Sequence, residues 1–147
     1  MSTPVTRLRM DARRTTLTTE SDLSVTLEMG YRSVAETFFR HDPPRPGELE
    51  LAIDAAEDAL MRVRALRTDA GTLVTSDDIR RLLPELLPDG MTATLEEIEA
   101  HFQRLASASL GHPGALADTP LDRESAAGLL ILRECMHHLG FRVLMIG

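Results

Sequence analysis

A glutamate, the sole cysteine and two histidines stand together in "RECMHHLGF", residues 133–141. Glu134 precedes His137 by three residues and His138 by four, spacings that place side chains on one helical face. Glu-x-x-His binds a metal pair in helix bundles when two such motifs meet two further glutamates. This chain has one such motif, and Glu97 and His101, four apart, do not repeat it. Glu134, His137 and His138 are therefore the candidate metal ligands. The competing reading is a buried helix end. Ala127, Leu130, Ile131 and Cys135 trace an apolar face, with Cys135 as a small hydrophobe and one histidine beside the helix C-terminus. That spacing favours the structural reading. A Cys135–His137 nucleophile pair is unsuitable, because the two positions diverge by about 200° around a helix.

A second polar cluster is "RHDPPRPG", residues 40–47. Arg40, His41 and Arg45, joined by His112 from a later loop, form a candidate anion site for a phosphate-containing ligand, with Glu36 or Asp42 as general base. The competing reading is a linker, because Pro43, Pro44 and Pro46 interrupt a helix. Asp54, Glu57 and Asp58 read as a solvated helix face rather than a cation site. "LGHPGALAD" lacks the lysine of a phosphate loop, so His112 and Gly114 read as turn residues.

Composition narrows the field. A length of 147 residues predicts one domain, 1–147, large enough for its own core. The net charge is −7 and aromatic residues make up 3%. The charge disfavours nucleic acid and anionic membranes as partners, and the few aromatics disfavour recognition of single strands by base stacking. All 16 basic residues are arginine, as a GC-rich bacterial genome would favour. One cysteine excludes an internal disulfide and a cysteine-rich zinc cluster. "MSTPVTRLRMDARR" lacks the apolar core of a signal peptide, so a cytoplasmic location is the default expectation. No cofactor is expected.

These residues need elements to position them. Val5–Met10 and Thr15–Thr19 are rich in β-branched residues and flank the polar turn "DARR". Leu23–Met29 alternates, with Leu23, Val25, Leu27 and Met29 on one face. Helices are expected at 31–40, 48–66, from 77 to the neighbourhood of Pro84, from 95 after a Thr94/Glu97 capping box, and at 121–139 before Gly140. A short strand is expected at 72–75 and a last one at 141–146. The fold class is α/β or α+β: an N-terminal three-stranded meander, about five helices and a C-terminal strand.

The C-terminal third, "TLEEIEAHFQRLASASLGHPGALADTPLDRESAAGLLILRECMHHLGFRVLMIG", resembles the exopolyphosphatase/guanosine-pentaphosphate phosphatase family. The matching pieces are Leu95 to Leu105, His112–Gly114, Arg123, Gly128–Leu132 and Val143–Ile146. The resemblance implies a reduced actin-like, ribonuclease-H-like lobe. It also implies phosphate binding through glycine-rich turns between early strands. The turn here, "MDARRT", contains no glycine, and backbone cradles for phosphate depend on glycine. The expectation is therefore a non-catalytic exopolyphosphatase-like domain acting through protein association, as a homodimer or with another protein. The alternatives are an enzyme or binder for a phosphate-containing ligand, and a metal-dependent protein using the Glu/His helix end.

Overall fold

The computed structural model describes residues 4–67, 71–117 and 121–147. The turn that "DAGTLVTSDD" implies and the end of the "GHPGALADTP" loop lie partly outside the described residues.

The meander is present as β1 (Val5–Met10), β2 (Thr15–Thr19) and β3 (Ser24–Leu27), each antiparallel to the next. Alternation decides its faces. Thr6, Leu8 and Met10 are buried while Arg7 and Arg9 face solvent, and Leu8 pairs directly with Leu17 on β2. This is the pattern of an antiparallel sheet packed on one side only. β3 is shorter than its sequence pattern implies. Leu27 and Met29 are buried as expected, but Leu23 is 50% exposed. The β2–β3 turn takes Leu23 for itself: its carbonyl accepts from the Thr19 amide, and Asp22 adopts a left-handed φ of 65°.

β4 (Gly71–Thr75) and β6 (Phe141–Ile146) add parallel strands, giving the order β3-β2-β1-β4-β6-β5. The far edge, β5 (Thr92–Thr94), is antiparallel to β6 and is not evident from the sequence. Three residues are too few to display a period of two. Its last residue, Thr94, is also the N-cap of the following helix.

The helices are α1 (Tyr31–Phe38), α2 (Pro46–Met61), α3 (Asp77–Leu82), α4 (Leu95–Ser109) and α5 (Arg123–Leu139). α1 stops before Arg40 because Phe39 is already extended. α2 begins at Pro46, where proline's missing N–H costs nothing, and ends at Met61. Residues Arg64–Leu66, expected as its last turn, form a separate 3₁₀ turn. Pro84 lies beyond the short α3, and Leu83, Leu86 and Leu87 are buried after it. The Thr94/Glu97 capping box is formed, with bonds of 3.1 and 3.0 Å.

α5 is the hub, packing against α1, α2, α3, α4 and β6. Its residues from Ser125 to Leu132 are all buried. Gly128 lets α3 approach: a Cβ there would lie 2.5 Å from Leu82 Cδ2. Gly140 ends α5 with φ 80° and turns the chain directly into β6. Among the described residues no helix is long and apolar enough to cross a membrane.

Candidate functional site

Two regions gather most of the polar residues singled out by sequence, and the turn between β1 and β2 is a third. In each, the deciding question is whether the chain satisfies its own polar groups.

The β1–β2 turn is closed from both sides. The amides of Arg13 and Arg14 donate to Asp11 Oδ1 at 2.8 and 2.7 Å. Those two bonds, from Arg13 first and then Arg14, hold the Asp11 carboxyl below its usual range. The helix end beside it is also engaged. The Tyr31 amide donates to Asp11 O at 3.3 Å, and the Arg32 and Ser33 amides donate to Ala12 O at 3.0 and 2.9 Å. The first amides of a helix are an anion site when free; here the turn's carbonyls occupy them. Gly30 permits this contact, since a Cβ would lie 2.3 Å from Asp11 O and 2.4 Å from Arg13 N. Sequence carried a signal for the closure: an aspartate just ahead of turn amides is the Asx-turn pattern.

The 40–48 loop folds around a carboxylate of its own. Glu48 Oε1 accepts from the Arg45 amide at 2.9 Å, and Glu48 Oε2 accepts from the Arg40 amide at 3.1 Å. His41 Nδ1 lies 2.9 Å from the same Oε2. Burial raises the Glu48 pKa, but the Arg45 amide, the His41 ring and the Arg40 amide together outweigh it and hold the group at about 2. The loop thus supplies its own anion at the point where an external one was expected. His112 lies elsewhere, in the connection after α4, and its described backbone bonds run to Ser107 and Ala115. Glu36 is exposed and lies 3.8 Å from Arg13, and Asp42 is exposed before a cis proline. The structure brings the Arg40 and Arg45 backbone amides and the His41 ring onto Glu48, while the described backbone bonds of His112 run elsewhere. Glu48, the loop's anchor, went unrecognised by sequence because its helix-start role is hidden behind Pro46.

The end of α5 differs. Cys135 is fully buried, and burial pushes its thiol up to about 12, as expected of a packed apolar side chain. His137 is exposed and meets His138 edge-on, with ring centroids 5.2 Å apart. Glu134 is 1% exposed. Arg133 grips Glu99 of α4 through two bonds of 2.8 and 3.1 Å, lies over the Phe102 ring, and reaches Glu134 Oε2 at 3.3 Å. Burial raises the Glu134 pKa, with Arg133 opposing it. His138 Nε2 lies 3.8 Å from Glu134 Oε2 and 4.0 Å from Glu57 Oε1. Of the three expected metal-ligating residues, Glu134 and His138 converge and His137 does not. Their third neighbour is Glu57, on α2, which sequence periodicity assigned to a solvated face.

No protein-family model and no curated protein sequence matches the chain. Solved structures do. A Ppx/GppA phosphatase from Aquifex aeolicus, described as a type II variant, matches with a TM-score of 0.71 at 16% identity, covering 100% of this chain and 54% of that one. A structure described as an exopolyphosphatase-like protein gives 0.70 at 13% identity, covering 100% and 55%. An exopolyphosphatase from Cytophaga hutchinsonii gives 0.67 at 11%, covering 99% and 53%. The chain spans about half the length of these proteins. At such identities the likeness concerns architecture, and function must be argued from sites. The six-stranded mixed sheet with α5 at its hub is a fold shared with these Ppx/GppA and exopolyphosphatase structures.

Proposed function

We propose that this chain is a non-catalytic exopolyphosphatase-like lobe that acts by associating with a second copy of itself. The observation that carries the first half is the closed β1–β2 turn. Its amides are bonded to Asp11, and the α1 amides beside it are bonded to the turn. A phosphate arriving there would have to displace both sets of bonds.

Association is supported by the edge strand β3. Edge strands are ordinarily guarded by charge, proline or a bulge. Ser24–Leu27 carries no charge or proline, and it pairs with β2 in regular register from Thr18↔Ser24 to Thr15↔Leu27. Two uncharged edges can pair antiparallel about a two-fold axis without like-charge repulsion. Beside β3 lies an open cleft of about 510 Å³, lined by Leu27, Met29, Phe38, Ala55, Ala59 and Val63. It offers apolar surface to whatever the edge recruits.

The test combines mass and turnover. Light scattering at tens of micromolar should give twice the 16.2 kDa chain mass, and Thr26→Arg should return the monomer. The same protein should release no phosphate from polyphosphate with Mg²⁺. A strict monomer would overturn the self-association, and turnover carried through purification at constant specific activity would overturn the non-catalytic reading.

A further inference from the structure

We propose that Glu57, Glu134 and His138 form a binding site for a divalent first-row metal ion, of which Zn²⁺ fits the donors best, joining α2 to α5. One ligand atom from each of the three residues lies within 4.8 Å of those of the other two. The residues come from two helices far apart in the chain, so the juxtaposition is made by folding and not by local sequence.

Two features distinguish this cluster from an ordinary ion pair. The first is distance. His138 Nε2 stands 3.8 Å from Glu134 Oε2 and 4.0 Å from Glu57 Oε1. Both separations exceed a hydrogen bond. The donors converge on a common point without bonding one another. A tetrahedral ion with bonds of about 2.1 Å holds its ligands about 3.4 Å apart, so a closure of roughly half an ångström brings the imidazole into range of each carboxylate. The second is an orphaned atom. Glu134 is 1% exposed, and its Oε1 has no hydrogen-bond partner among the described residues. Buried carboxylate oxygens are ordinarily bonded or metal-bound. Arg133 reaches the other oxygen, Oε2, which is also the one 3.8 Å from His138 Nε2, and Glu99 already holds two of the Arg133 donors.

The donor set selects the class of ion. Two carboxylates and one imidazole make a hard-to-borderline site. The imidazole favours Zn²⁺ over Mg²⁺ or Ca²⁺, and the absence of thiolate from the three disfavours Cu⁺. The side chains of Glu57 and His138 are 42% and 32% exposed. An ion there therefore has a solvent-facing side and a buried anchor.

The test uses the full chain without a histidine tag, stripped with EDTA and titrated with ZnCl₂ and separately with CoCl₂. The expected result is one ion per chain, a rise in melting temperature with Zn²⁺, and the visible absorption of Co²⁺ in a four- or five-coordinate site. Glu57→Ala, at a half-exposed position, should weaken Zn²⁺ binding by at least ~100-fold, beyond the range of outer-shell changes. His138→Ala should do the same. His137→Ala should bind as the parent does. Sub-stoichiometric metal, or equal losses from His137→Ala and His138→Ala with none from Glu57→Ala, would overturn the site. The second pattern would mark adventitious binding to the adjacent histidines.

Discussion

The β1–β2 turn and the end of α5 are both dense in polar groups, yet they are built on opposite terms. At the turn, Asp11 takes the amides of Arg13 and Arg14, while the carbonyls of Asp11 and Ala12 take those of α1. At α5, a carboxylate sits 1% exposed with one oxygen unpartnered. The first region is complete without a ligand. The second holds a buried polar atom with no hydrogen-bond partner among the described residues. The 40–48 loop sides with the turn, since Glu48 engages two backbone amides and the His41 ring. Closure of this kind, rather than the density of charged residues, separates structural clusters from binding sites.

The largest effect should come from prising the closed region apart. Gly30→Ala puts a Cβ 2.3 Å from Asp11 O, against backbone that cannot swing away. It should destabilise the fold by about 3 kcal/mol. Urea unfolding measures this, and a loss below about 1 kcal/mol would show that the turn and α1 are not locked together. Gly128→Ala is the control. Its neighbour is the flexible end of Leu82, and alanine gains about 1 kcal/mol of helix propensity, so its loss should be much smaller.

Glu48 tests the second closed region by pH. Its folded pKa, about 2, lies below the ordinary 4.5. The unfolded chain therefore binds this proton more readily. The stabilisation from Glu48 is complete above pH 4.5 and drains away as pH falls toward 2. Glu48→Gln should cost about 1 kcal/mol at neutral pH, in the range of a lost helix-start bond. The gap from the parent should close on acidification. A gap constant from pH 7 to pH 2.5 would refute the assignment.

How far these differences were legible in the sequence depended on range. The meander, five helices, the Thr94/Glu97 box and the Gly140 stop rest on neighbours within four residues, and alternation or spacing displayed them. β5 was invisible because three residues carry no period. Glu57 was read as solvated because helical periodicity reports the face of α2 and not what α5 brings to it. His137 and His138 were equivalent on paper; α5's packing against four other helices brings the His138 ring within 3.8 Å of Glu134 and leaves His137 exposed. The Glu48 hub was hidden for a similar reason, since two of its three donors are backbone amides that any residue type supplies.

Smaller effects sharpen the contrast. Asp11→Ala releases two turn amides into solvent, where water replaces the carboxylate, and should cost about 1 kcal/mol by thermal or chemical unfolding. Glu134→Met in metal-free protein should be neutral or slightly stabilising, within about 0.5 kcal/mol, because an apolar side chain of similar volume removes an incompletely satisfied charge. A loss of several kcal/mol would show that Arg133 and His138 already satisfy Glu134. The two regions would then be alike.

The most direct test of the central claim is calorimetric titration of polyphosphate, with Mg²⁺ present, into the parent chain and into Asp11→Gly. A turn closed by its own aspartate predicts no saturable heat for the parent. Stoichiometric binding by the parent that weakens when Gly30 or the Asp11–Arg14 turn is altered would contradict the claim, and would place a working phosphate site where the chain now bonds to itself.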